Sequence, residues 1–253
     1  MQQVTVRDVL AFLEKLAPPA LAESRDNVGL LLESEGPVSG VLTALDITDA
    51  VVAEAIATGS SLIVAHHPVI FRPLKNLNYN NVIYKMARAG ISAICMHTNL
   101  DCAAGGTGDT LAALLGLTDV QTYTVDDDEH LGRIGSLPQP LAMPQLAAHC
   151  RDTLHTPVRY VENGRAVQRV AIVTGSGDYV SDALAAGADA LVTGEVGYHK
   201  AMDAAAAGLG VVEAGHFGTE APIAAVLKEQ IAAAFPGLPV QVSASMKDVF
   251  LTL

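Results

Sequence analysis

The chain is poor in positive charge, in cysteine and in long apolar runs, and each shortage narrows what it can be. Lysine and arginine total 15 against 27 aspartates and glutamates, a formal net charge of −12. General nucleic-acid binding needs a basic footprint, so this balance argues against nucleic acid as a partner and leaves an acidic surface compatible with divalent cations. Cys95, Cys102 and Cys150 are an odd set without CxxC spacing. They indicate neither a disulfide framework nor a thiolate zinc site and fit a reducing cytoplasm. No uninterrupted apolar segment is long enough to span a bilayer, and Met1-Gln2-Gln3-Val4-Thr5-Val6-Arg7-Asp8 lacks the basic-then-apolar layout of a signal peptide. The expectation is a soluble cytoplasmic protein without a membrane partner. Gly105-Gly106-Thr107-Gly108-Asp109 has no following Lys-Ser/Thr and is not a Walker loop, and Gly175-Ser176-Gly177 lacks the spacing of a nucleophile elbow, so no serine triad emerges.

What is present is a large apolar fraction, 50% of 253 residues, enough for a substantial core. Strand-like runs at Gly40 to Leu45, Ser61 to Ala65, Ile91 to Met96, Gln168 to Val173, Ala190 to Val192 and Gly210 to Glu213 alternate with helical stretches. Those helices are expected at Asp49 to Thr58, Val82 to Ala89, Thr110 to Leu117, Tyr179 to Ala186, Lys200 to Ala207 and Pro222 to Ala234, an α/β rhythm interrupted by a polar stretch from Thr122 to Glu129. The rhythm is duplicated. Ala55-Ile56-Ala57-Thr58-Gly59 with Leu62-Ile63-Val64 resembles Leu184-Ala185-Ala186-Gly187 with Ala190-Leu191-Val192, and Ala87-Arg88-Ala89-Gly90-Ile91 resembles Ala206-Ala207-Gly208-Leu209. Residues 1–121 and 122–253 are the expected repeats of one compact unit.

Leu62-Ile63-Val64-Ala65 ends in His66-His67-Pro68, two of only eight histidines. A buried run closed by a proline delivers both imidazoles to a strand-to-loop junction, where α/β proteins hold ligands. An isolated His-His pair is more often structural or superficial, so it needs partners. Met96-His97-Thr98-Asn99-Leu100-Asp101 offers another strand end, with Asp101 as an anionic ligand and His97 as ligand, proton shuttle or supporting group. In Gly215-His216-Phe217-Gly218-Thr219-Glu220, residues four apart share a helix face, so His216 and Glu220 can bind the same ion or adjacent ions; the competing reading makes Thr219 an N-cap and Glu220 a dipole partner. Each half then carries an imidazole followed four positions on by a carboxylate at matching places. Together, His66, His67, Asp101, His216 and Glu220 exceed the three protein ligands usual for a catalytic zinc and suit two ions. Zinc, manganese, iron, cobalt and nickel all remain open.

Other polar residues rank lower. Asp46 is expected to cap the next helix, or else to support the site; Asp109 is expected to cap the helix after the glycine-rich turn. Glu195 and His199 can line the cleft. His130, His149 and His155 are read as surface groups.

Asp26-Asn27-Val28-Gly29-Leu30, His66-His67-Pro68 with Phe71, His97-Thr98-Asn99-Leu100-Asp101 with Gly105-Gly106, Gly194-Glu195 with His199, and Gly215-His216 with Glu220 occur in the order found in the Nif-three-like family. Over almost its whole length the chain resembles this family, also labelled GTP cyclohydrolase 1 type 2 homologs, in its compact bacterial form. The resemblance implies two intertwined α/β repeats with mixed sheets, a dinuclear metal site between them and a toroidal homohexamer. It places the metal ligands on His66, His67, Asp101, His216 and Glu220. The chain departs from the pattern at Arg25, where relatives often have Trp, and at Gly108, where they often have Asn. Two functions compete. One is a metal-dependent hydrolase of a small-molecule substrate, GTP ring opening being one version, with His97 transferring a proton. The other is a non-enzymatic metal-binding or regulatory scaffold.

Overall fold

Thr5 opens the first helix, α1 (Val6–Leu16), with a reciprocal cap: its side chain accepts from the Asp8 N–H, and its own N–H donates to the Asp8 carboxylate at 2.8 Å. From there the computed structural model describes residues 3–125 and 128–251. Met1 and Gln2 of the expected start, and residues 126–127 of the polar stretch, lie outside the described residues. Next come β1 (Gly29–Leu32), β2 (Val41–Ala44), α2 (Asp49–Thr58), β3 (Leu62–Ala65), α3 (Val82–Ala89), β4 (Ser92–Cys95) and α4 (Thr98–Cys102). Two compact units share the chain: Met1–Ala104 with Ile223–Lys247, and Gly105–Pro222 with Asp248–Leu253.

In the first unit β2, β3 and β4 run parallel and are buried throughout, in keeping with their largely apolar sequences, while β1 closes antiparallel onto β4. The second unit contains α5 (Thr107–Leu114), β5 (Thr118–Val125), β6 (Asp128–Leu141), α6 (Met143–Leu154), β7 (Arg159–Val161), β8 (Val167–Ser176) and α7 (Val180–Ala185). It continues with β9 (Ala190–Glu195), α8 (Tyr198–Ala207), β10 (Gly210–Glu213) and α9 (His216–Glu220). Here β8, β9 and β10 are the parallel trio and β7 closes antiparallel onto β10, in the order β5-β6-β8-β9-β10-β7. Each sheet therefore has the same four-strand kernel, reached by the same alternation of helix and strand. This is the expected fold class: α/β, duplicated, with two mixed sheets.

The last segment, α10 (Ile223–Ala234) and β11 (Val240–Val242), returns to the first unit. β11 extends the first sheet beside β2, giving the order β1-β4-β3-β2-β11. Ile223, Leu227 and Ile231 of α10 bury themselves with Val41, Val64 and Ile94, and each such side chain contributes about 1.5–3 kcal/mol when removed from water. The Thr43 hydroxyl donates to the Ala224 carbonyl at 2.8 Å across the same interface. Conversely α5, which follows the first kernel in sequence, packs in the second unit, with Leu111 and Ala112 among Val170, Ile172 and Val192. The two repeats are thus intertwined by their terminal helices.

Two local expectations are corrected. The polar stretch from Thr122 falls in the β5–β6 hairpin, because Tyr123 and Val125 are buried while Thr122 and Thr124 are exposed, a period-two pattern hidden by the threonines. Asp109 is not the N-cap of α5, a place taken by Gly106. It sits in the first turn, accepting the Gly105 N–H at 2.7 Å and the Nε–H of the buried Arg133 at 2.7 Å. Gly108 leaves room for that arginine: a Cβ there would lie 2.9 Å from Arg133 Cγ.

Candidate metal centre

In the first unit, three imidazoles meet where β3 and β4 end. The ladder continues one step past β3, His66 N–H donating to Ala44 at 3.1 Å and His67 N–H to Leu45 at 2.8 Å, before Pro68 stops it. His66, His67 and His97 then stand with ring centroids 5.1, 5.2 and 5.7 Å apart. Each ring is anchored through Nδ1. His66 Nδ1 donates to the Met96 carbonyl at 2.7 Å, His67 Nδ1 to Asp46 at 2.8 Å, and His97 Nδ1 to both oxygens of Asp26 at 2.9 and 3.0 Å. Carbonyl and carboxylate oxygens only accept, so each neutral ring carries its proton on Nδ1 and presents an Nε2 lone pair. The ring nitrogens these three offer to a metal lie within 4.8 Å of one another.

Asp101, in the first turns of α4, brings Oδ1 to 3.5 Å from His66 Nε2, both groups being buried. A lone pair and a carboxylate oxygen at that separation are the arrangement a shared cation of about 2.0–2.2 Å bond length would bridge. The donors are hard oxygen and borderline nitrogen and contain no thiolate. Cys95 lies close by, but its Sγ–H donates to the His66 carbonyl at 3.0 Å, and burial with the charges of Asp26 and Asp101 pushes its thiol well above the ordinary range.

In the second unit, His216 opens α9 and Glu220 closes it, with His216 Nε2 and Glu220 Oε2 3.0 Å apart. Glu220 is thus at the C-terminal end of the helix, where the dipole disfavours a carboxylate, and the N-cap is Gly215. Thr219 does not cap the helix: its hydroxyl oxygen lies 3.1 Å from the Gly215 and His216 carbonyls and accepts the Gly175 N–H at 3.1 Å. The N-cap part of the capping interpretation therefore fails. Glu220 is only 5% exposed, and a carboxylate so buried is stabilised by a nearby positive charge or by hydrogen bonds. Glu195 Oε1 approaches the other face of the same ring, 3.6 Å from His216 Nδ1. His199 is exposed, its ring 6.0 Å from that of Tyr198.

The expected matching places are one residue out of step. Met96 N–H bonds to Ala65, and Ala214 N–H to the equivalent Thr193, so His97 corresponds to Gly215 and Thr98 to His216. The short helices agree, Thr98–Cys102 overlying His216–Glu220 in the repeat. The shift accompanies a change of backbone: His97 has φ −104°, whereas Gly215 takes φ 76°, a left-handed value that a β-carbon disfavours.

Asp46 acts as support for His67 rather than as a cap, since Thr48 caps α2. His130 and His155 are exposed as expected, but His149 is half-buried and bonded to the Leu115 carbonyl at 3.0 Å. Two residues that matter to the site were not singled out from the sequence. Gly175, at φ 62°, passes directly beneath Glu220, and a Cβ there would overlap Glu220 Oε1. Asp26, 2% exposed, holds His97. Burial raises the Asp26 pKa, but the hydrogen bonds from His97 and Thr98, the His97 charge and the Asn27 N–H outweigh it and hold the carboxyl well below its usual range.

A duplicated α/β chain with clustered imidazoles and carboxylates at its strand ends defines a class of protein equipped to hold metal. The chain belongs to the Duf34/NIF3 (NGG1p interacting factor 3) family, whose profile matches residues 4–248. It is 31% identical over 237 residues to a Clostridium perfringens protein named GTP cyclohydrolase 1 type 2 homolog, covering 89% of this chain and 90% of the relative. A Lactococcus lactis protein of the same name is 37% identical over 223 residues, covering 84% and 86%. Among solved structures, a Staphylococcus aureus hypothetical protein superposes with TM-score 0.91 at 28% identity, covering 100% of both chains. No helix among the described residues is long and apolar enough to cross a membrane.

Proposed function

We propose that this chain is a dinuclear-metal hydrolase in which His66, His67 and Asp101 of the first unit act with His216 and Glu220 of the second. The observation that carries the reading is the convergence of Nδ1-anchored imidazoles beside a buried carboxylate, since a neutral ring locked in one tautomer is already in its ligating form. Two divalent ions, when bound, supply Lewis acidity and a water of lowered pKa. His97 presents Nε2 on the same side as His66 and His67 and accepts a proton there, the resulting imidazolium being stabilised by Asp26. The relatives' name makes GTP ring opening one reaction to assay.

The test is metal analysis of the purified protein coupled to a panel of phosphoester, nucleotide and cyclic amide substrates, each with a chelator control. Chelator-sensitive turnover is expected. Full metal content without turnover anywhere in the panel would favour the scaffold, and absence of bound metal would end both readings. We further assign the chain to the cytoplasm, where its three buried thiols remain reduced, and to a toroidal homohexamer. Sedimentation of the native protein tests the assembly, with a species of six chains expected.

A further inference from the structure

Asp26 gathers donors from three neighbours beside the three histidines. Its Oδ1 accepts the Asn27 N–H at 2.7 Å and its Oδ2 accepts the Thr98 N–H at 3.1 Å and the Thr98 hydroxyl at 2.5 Å, in addition to the His97 Nδ1–H shared by both oxygens. Only 2% of the side chain is exposed. Its neighbour extends the brace: Asn27 Nδ2–H donates to the Ile70 carbonyl at 2.5 Å, fixing the segment that follows His66-His67-Pro68. The contrast with Asp46 is sharp. Asp46 meets His67 Nδ1 at 2.8 Å, but its side chain is 51% exposed.

We propose that Asp26 is a positioning residue that locks His97 in the Nδ1–H tautomer and aims Nε2 at the candidate metal centre. Three donors around the carboxylate are fixed, two backbone N–H groups and one ring N–H, and the Thr98 hydroxyl turns to join them. A group that only accepts is the sole fit for all of them. Replacing one oxygen by an amide NH₂ sets that NH₂ against a backbone N–H whichever way the amide turns, Asn27 at Oδ1 or Thr98 at Oδ2, and takes from the His97 Nδ1–H one of its two acceptors. The Asp26→Asn chain therefore moves the His97 proton to Nε2, removing the lone pair from the face shared with His66 and His67. The same logic underlies the loss of activity when a triad aspartate is changed to asparagine. Asp46→Asn, at an exposed and singly bonded carboxylate, leaves its histidine tautomer largely unchanged because water and amide rotation absorb the mismatch.

The catalytic consequence rests on the proposed role of His97, but the tautomer does not. The test is ¹⁵N NMR of the histidine rings in chelator-treated, full-length protein, with His97 assigned by its loss in His97→Gln. Wild type is expected to show Nδ1–H and an unprotonated Nε2, and Asp26→Asn the reverse. If Asp26→Asn fails to fold, the wild-type spectrum decides, because a protonated Nε2 with a bare Nδ1 overturns the proposal. An unchanged tautomer in a folded Asp26→Asn overturns it equally. For a substrate turned over by wild type, Asp26→Asn should lower kcat by about 100-fold or more with little change in KM and with metal content retained. Loss of metal instead of kcat would also overturn the positioning role. Metal-free wild type would count against the proposed hydrolase while leaving the tautomer test intact.

Discussion

The two strand-end groups occupy the same place in the two repeats and are built in opposite ways. In the first unit three imidazole rings converge, each pinned from behind by a separate acceptor: the Met96 carbonyl, Asp46 and Asp26. In the second unit one imidazole lies between Glu220 and Glu195, on a five-residue helix seated over Gly175 and Gly215. The first repeat contributes pinned rings beside Asp101, the second a single ring beside Glu220. Duplication preserved the backbone route to the site, while a one-residue change of step and a left-handed glycine altered which atom each route delivers. The lesson is that topology places a site but the residues at its strand ends choose its chemistry.

The largest effects should come from removing a donor on either side. Glu220→Ala and His66→Ala are expected to lower metal affinity at least about 100-fold while the circular dichroism spectrum is kept, exceeding the 10–100-fold usual when only a supporting partner is lost. Wild-type metal content in either variant would break the assignment on that side. Next is the glycine seat. Gly175→Ala forces a β-carbon onto a left-handed backbone and into Glu220, so about 1–3 kcal/mol of stability and much of the bound metal should be lost together, read by denaturant titration and metal analysis. A fall in stability without a loss of metal would show that Glu220 does not depend on the glycine seat to hold an ion.

The pinning residues should divide. Asp46→Asn is expected to weaken metal binding about tenfold at most, because its carboxylate is half in solvent. Asp26 instead leaves a signature in acid. With its folded pKa depressed, the unfolded chain takes up a proton first, so the contribution of Asp26 is complete above about pH 3.9 and declines as the pH falls toward the folded value. Wild-type stability should therefore drop more steeply below about pH 4 than that of Asp26→Asn, measured by urea unfolding at several pH values. Parallel pH curves would remove the distinction between the two carboxylates. The smallest effect concerns the thiols. Cys150, pushed up to about 12 by burial, and the buried Cys95 and Cys102 should resist alkylation in the native protein and react on unfolding.

Much of this arrangement could be read in advance, and the reasons are local. Strands such as Leu62 to Ala65 announce themselves because a parallel strand buried on both faces is apolar at every position, and the histidines follow as an abrupt change of chemistry. The β5–β6 hairpin did not announce itself, since exposed threonines masked the alternation of Tyr123 and Val125. Asp26 stood in a recognisable motif, yet its partner is 71 positions away, and no spacing rule links a loop aspartate to a distant imidazole. Gly175 was visible as a glycine but not as the seat of Glu220, a relation that exists only once β8 and α9 are packed.

By itself the sequence determined the α/β class, the duplication and the candidate donors, because burial periodicity and side-chain chemistry are properties of short segments. Tertiary structure decided which nitrogen each imidazole presents, that Asp46 and Asp26 serve as anchors, that the repeats correspond one residue out of step, and that α10 returns to the first sheet while α5 joins the second. Those outcomes depend on hydrogen bonds and apolar contacts between segments far apart in the chain, whose energies exist only after the strands have come together.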